Sequence, residues 1–186
     1  SASEDPCDKN VYRGPSAGSE PEVRNVVWLL DTFPRIRWHL DVHSAVPVIL
    51  HGWGSDQNQT IEPKQSFLNS AFDGARGRLN DLEYGEYIAP DDLEMVETLS
   101  TRMNDAVKTV RGSNYGVEQA YGLYPTSGAS DDYAFSRHFA DPAKTKVYGF
   151  TIECGDSFQP PWSEAEEVIR EVSAGLIAFC LGAAGE

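Results

Sequence analysis

At 186 residues and 40% hydrophobic side chains, the chain has the length for one core and one domain. Its formal charge of -14 argues against nucleic acid or an anionic membrane surface as partner, because phosphate binding needs clustered Lys and Arg, and it favours cationic ligands. No apolar run approaches the roughly 18 residues that span a bilayer, and Ser1-Ala2-Ser3-Glu4-Asp5 lacks the charged and apolar regions of a signal peptide, so a soluble, already processed chain is expected.

Along the chain, Cys7 comes first, in a polar, proline-containing leader where an unpaired thiol of a secreted protein points to a partner outside the chain. Ser19-Glu20-Pro21-Glu22 reads as a capping box, and Val23, Val26, Val27 and Leu30 continue at helical spacing. A helix over about residues 20 to 32 follows, stopped by Pro34. Ile36, Trp38, Leu40 and Val42 alternate with polar residues as a strand does, ending in Asp41-Val42-His43-Ser44. Val46 to Leu50 is a second short apolar run, closed by the turn His51-Gly52-Trp53-Gly54.

Residues 55 to 90 are polar and glycine-rich with no sustained period, predicting a long surface excursion with one short helix. Asp91 and Asp92 open a helix through Leu93, Val96, Leu99, Met103, Val107 and Val110, with Lys108 and Arg111 in its last turns and Gly112 ending it. Asp131 and Asp132 stand where a shorter helix through Phe135 and Phe139 begins. Val147 to Cys154 is a strand, and Ser163-Glu164-Ala165-Glu166 is read as the cap of a final helix through Val168, Val172, Leu176 and Phe179. Cys154 and Cys180 are expected to be small buried hydrophobes.

Strands separated by helices predict an α/β sheet covered on both faces, with ligands beyond the carboxyl ends of strands. His43 and Glu153 both close strands. His39, Asp41 and His43 share one strand face, but the two histidines lie about 13 Å apart along a strand, too far for one zinc ion. No HExxH or His-x-x-Glu pair occurs among these residues, so local motifs do not assemble a complete zinc site. Taken alone, a strand histidine is more often satisfied structure than ligand.

In their order, Asp41-Val42-His43-Ser44, then Tyr124-Pro125-Thr126-Ser127-Gly128-Ala129-Ser130-Asp131-Asp132, then Phe150-Thr151-Ile152-Glu153 resemble the C-terminal half of the zinc carboxypeptidases of the carboxypeptidase A and B family. Pro6-Cys7, Tyr12-Arg13-Gly14 and Ser19-Glu20-Pro21-Glu22 resemble the stretch leading into that family's helix before the histidine strand. The resemblance implies a three-layer α/β/α fold with an open mixed sheet, of which residues 1–186 supply the C-terminal part. It also implies Zn2+ as cofactor, a peptide as substrate and a secreted, extracellular location.

By the same resemblance His43 is the third zinc ligand, and Glu153 is the catalytic glutamate that takes a proton from zinc-bound water and delivers it to the leaving amine. Such a glutamate needs a pKa raised by partial burial, which a strand end beside an apolar run supplies. Tyr124 matches the mobile tyrosine that closes over the substrate's terminal residue. Ser44, Gly54, Thr126, Asp131 and Thr151 fall at substrate-contacting positions. An acid at Asp131, the base of the pocket, resembles carboxypeptidase B and implies substrates ending in Lys or Arg; the alternative is a helix-start carboxylate facing solvent.

The family's His-x-x-Glu motif, and the upstream arginines and asparagine that hold the substrate's carboxylate and polarise the scissile carbonyl, have no counterparts among these residues. The expected partner is therefore the N-terminal half of the same enzyme as a separate chain, with a disulfide through Cys7 as one way of joining them. Ala45 stands where a tyrosine is common, Cys154-Gly155 replaces leucine and arginine of the animal enzymes, and the segment from Phe67 to Pro90 is expanded. Two other functions stay open: a non-catalytic relative that binds C-terminal peptides, and an amidase on this fold acting on a small amino-acid conjugate or a cell-wall peptide.

Overall fold

The computed structural model describes residues 3–8 and 11–185. Helix α1 spans Pro21–Thr32, with Pro21 in its first turn, where the missing N–H costs nothing. That proline also displaces the expected capping box. Glu20 becomes the N-cap, Ser19 falls outside the helix, and the Ser19 hydroxyl donates to Glu20 Oε1 at 2.9 Å instead of capping.

Four strands build one open mixed sheet: β1 (Trp38–His43), β2 (Val48–His51), β5 (Gly116–Gln119) and β6 (Tyr148–Glu153). Their order is β1-β6-β2-β5, with β6 parallel to β1, antiparallel to β2, and β2 parallel to β5. β5 has no counterpart in the sequence reading. Its four residues carry one branched apolar side chain, Val117, and its strand character comes from pairing with Ile49 of β2 rather than from any pattern of its own.

Helices α2 (Pro90–Arg111) and α4 (Trp162–Ala184) pack together on one face of the sheet. Val96, Leu99, Met103 and Val107 of α2 and Phe179 of α4 close over Ile49, Phe150 and Ile152. Gly175 lets α4 settle against Val107 and Ile152. Glu171 of α4 is buried and answered by Arg111 Nε at 2.5 Å and the Tyr115 hydroxyl at 3.0 Å. As expected, α2 ends at Gly112 in a left-handed conformation, φ 81°.

The other face carries α3 (Ser130–Ala140), which crosses β6 at Gly149; a side chain there would collide with the carbonyl of Asp131. α1 joins this layer through Leu30, Ala134 and Val147. The buried Arg137 of α3 donates to the Leu30 carbonyl at 3.1 Å and pairs with Asp31. The chain is thus a three-layer α/β/α arrangement with an open mixed sheet.

Residues 55–90 are more ordered than their composition predicts. β3 (Gln59–Thr60) pairs parallel with β4 (Glu86–Tyr87), and a single 3-10 turn forms at Ser70–Phe72. Buried carboxylates replace periodic apolar residues as the organising device. Asp56 accepts from the N–H groups of Asn58 (3.0 Å) and Gly77 (3.2 Å), and Glu86 accepts from Phe67 N–H (2.9 Å) and the Tyr84 hydroxyl (2.8 Å).

Two further expectations need correction. α4 begins at Trp162 behind Pro161, so Ser163 lies inside its first turn and no side chain caps it. Cys180 is exposed, not buried, because it follows Phe179 on the side of α4 turned away from the sheet, among exposed Ile177 and Leu181. Cys154 is half-buried and Cys7 exposed, and all three thiols are free. Among the described residues no helix is long and apolar enough to cross a membrane.

Candidate active site

Parallel pairing of β1 and β6 sets His43 opposite Glu153, so both side chains leave the same face at the carboxyl ends of neighbouring strands. Phe150 and Ile152 point the opposite way, into the core. On the His43 and Glu153 face lies a cavity of about 240 Å³, lined by Asp41, His43, Tyr124, Thr126, Asp131, Thr151 and Glu153 together with Leu50, Ala120, Leu123, Ala129 and Ser130.

Glu153 is only 7% exposed, and its Oε2 is buried with no hydrogen-bond partner among the described residues. Burial raises its pKa above the usual carboxylate range; His43 offsets part of this and Asp41 adds to it. His43 is half exposed. Its Nε2 lies 3.2 Å from Asp41 Oδ2, which also accepts the Ser130 hydroxyl at 2.7 Å. His39, the other histidine on this strand face, is half-buried, with Nε2 unpartnered and its pKa lowered by burial.

Asp131 is 2% exposed, which removes the alternative of a helix-start carboxylate in solvent. One oxygen accepts from the Thr151 hydroxyl at 3.3 Å and the other from Asp132 N–H at 2.9 Å. Thr126 and Thr151 line the cavity, and Tyr124, 58% exposed, stands at its mouth. Ser44 and Gly54 do not line it. Ser44 is exposed beyond the end of β1, because consecutive strand residues face opposite ways.

Gly54 acts one step back: its N–H meets both oxygens of Asp132 at 3.0 Å, its carbonyl accepts Thr126 N–H at 2.8 Å, and a side chain on it would collide with the Thr126 hydroxyl. Sequence reasoning missed three residues of this site. Asp41 was visible in the alternation with His43, whereas Ser130 and Asp132 join it only through the crossing of α3 over the sheet.

Asp132 is buried, and its pKa is pushed up to about 7, first by burial and then by the neighbouring Asp131, against the opposing N–H groups of Gly54 and Ser55. The unfolded chain releases this proton near 3.8, so between 3.8 and about 7 the folded state holds more protons and stability falls as pH rises. The slope is at most about 1.4 kcal/mol per pH unit. Asp132→Asn removes the titration while keeping an acceptor for Gly54 N–H. Chemical denaturation across this range should find the Asn variant gaining on the parent as pH rises; a constant difference would mean Asp132 keeps an ordinary carboxylate pKa.

Zinc is the metal the fold implies. Among the described residues, no group of three or more His, Cys, Asp or Glu side chains could hold a metal ion. What is present fits a share of such a site: His43 Nδ1 has no hydrogen-bond partner among the described residues, and the orphaned Oε2 of Glu153 lies on the same face. A catalytic zinc takes three protein ligands, a number that the described residues do not supply at one place.

The model of the zinc carboxypeptidase family matches residues 1–175. Over 158 residues the chain is 28% identical to carboxypeptidase B of Astacus astacus, covering 84% of this chain and 40% of that protein. Bovine thrombin-activatable fibrinolysis inhibitor, solved in complex with tick carboxypeptidase inhibitor, matches with a TM-score of 0.67 at 19% identity, over 96% of this chain and 50% of its own. Carboxypeptidase A from Helicoverpa armigera gives a TM-score of 0.62 at 19% identity, over 100% of this chain and 40% of its own. At such identities the two structures speak for the fold alone, and the chain spans half or less of each of these relatives. With the family match running through the His43 strand, the Tyr124 to Asp132 segment and the Glu153 strand, this chain belongs to the zinc carboxypeptidase family.

Proposed function

We propose that this chain is the C-terminal part of an extracellular enzyme that removes the C-terminal residue of peptides, and that the residue it prefers is Lys or Arg. The observation that carries the reading is the pairing of His43 and Glu153 across β1 and β6, on the face of a cavity holding the buried Asp131. In this reading His43 contributes one zinc ligand. Zinc, when bound, supplies a Lewis acid that polarises the scissile carbonyl.

Glu153 takes a proton from the attacking water at Oε2 and hands it to the departing amine. Its burial and lack of a partner suit a carboxylate that must alternate between charged and neutral. Tyr124, exposed at the cavity mouth, closes over the terminal residue. Thr126 and Thr151 line the cavity on the way to Asp131, which receives the cationic tip. The remaining zinc ligands and the groups that hold the substrate carboxylate come from the N-terminal half of the enzyme. Exposed, free Cys7 is available for a disulfide to that half.

The 186-residue chain alone is expected neither to retain zinc tightly nor to hydrolyse peptides, and addition of the N-terminal half should restore both. Metal analysis after gel filtration, and release of C-terminal Lys from a peptide, measure the two. Stoichiometric, tightly held zinc on the chain alone would sink the assignment of His43 as one ligand of three. A reassembled pair that binds the peptide without cleaving it would be a non-catalytic relative, and cleavage confined to small amino-acid conjugates would make it an amidase.

A further inference from the structure

Asp41 and His43 stand two residues apart on β1, so their side chains leave one face of the sheet, and Asp41 Oδ2 lies 3.2 Å from His43 Nε2. The same oxygen accepts the Ser130 hydroxyl from the first turn of α3 at 2.7 Å. The hydroxyl comes from a different element, so the carboxylate is held by the helix as well as by its own strand. No Lys or Arg pairs with Asp41 among the described residues; its charge acts on His43, at 3.2 Å, and on His39 of the same strand face.

We propose that Asp41, anchored by Ser130, is the positioning residue for His43. The carboxylate holds the proton on Nε2, selects that tautomer and fixes the ring plane, leaving Nδ1 as the lone pair offered to the metal. A carboxylate behind a ligating imidazole also makes the ring a better donor, and losing such a partner costs roughly ten- to a hundredfold in metal affinity. The inference rests on the zinc-ligand role proposed for His43. It gives Asp41 a task distinct from that of Asp131, although both line one cavity.

Two readouts test it. In the chain alone, nitrogen-15 NMR of the imidazoles should show His43 protonated on Nε2, and Asp41→Ala should abolish that preference without disturbing His51 and His138, which lie off this strand. In the enzyme assembled with its N-terminal half, chelator competition for Zn2+ should show a ten- to hundredfold loss for Asp41→Ala. Asp41→Asn, which keeps an acceptor but not the charge, should fall in between. Ser130→Ala should lose less, and Ser130→Thr, which restores the hydroxyl, should recover the parent value.

Unchanged tautomer and unchanged zinc retention in Asp41→Ala would overturn the proposal. So would a loss of affinity for Lys-ended peptides with zinc retention intact, because Asp41 would then be reading substrate. Zinc retained by His43→Ala would instead defeat the ligand assignment itself, a result that no behaviour of the Asp41 variants can imitate.

Discussion

Glu153→Gln in the zinc-loaded, reassembled enzyme is expected to keep its metal and lose roughly 10²- to 10⁴-fold in kcat, the usual share of a positioned general base. Glutamine has the shape of glutamate, so the strand end, its pairing with His43 and the cavity wall should be unaltered. What disappears is a group that, among the described residues on this face, alone combines burial, an unpartnered oxygen and a raised pKa. His43→Ala should behave differently, losing metal as well as turnover.

The parent's pH profile supplies an independent check. The acid limb of kcat/KM should report protonation of Glu153, because a protonated carboxyl cannot take the proton of the attacking water. That limb should be missing from the residual activity of Glu153→Gln. Near-normal turnover in the variant would show that another group moves the proton.

The second large effect is on selectivity. With Asp131 buried on the cavity wall, a substrate ending in Lys or Arg brings a cation to a carboxylate already removed from water. A charge-assisted contact of this kind is worth roughly 1.5–3 kcal/mol, about ten- to a hundredfold in kcat/KM. A Phe or Leu side chain in the same place leaves the acid unpaired. Asp131→Ala should therefore erase the preference for Lys over Leu while sparing, or improving, the apolar substrate. The ratio of kcat/KM for two peptides differing only in their last residue decides the matter. A ratio unchanged by the substitution would confine Asp131 to holding Thr151 and the start of α3.

Helices α1, α2, α3 and α4 and strands β1, β2 and β6 were legible in the sequence because their signals are local. Apolar spacing, prolines at entry and glycine at exit act within a few residues of one another. The motifs that resemble zinc carboxypeptidases sat on those same elements, so the strand-end residues His43 and Glu153 could be named before any geometry was known.

The tertiary structure decided what depends on contacts between distant segments. β5 exists because β2 offers it an edge, and residues 55–90 are ordered by buried Asp56 and Glu86, whose partners, backbone N–H groups and the Tyr84 hydroxyl, no periodicity announces. Whether Asp131 faced solvent or the cavity depended on α3 crossing β6 at Gly149. The failed capping boxes and exposed Cys180 have the same origin: one proline or one helical turn of offset moves a side chain to another face. Pattern along the chain determined which residues could carry the chemistry; the register of β1 with β6 and the lie of α3 decided which of them meet, since those interactions pair residues separated by much of the chain.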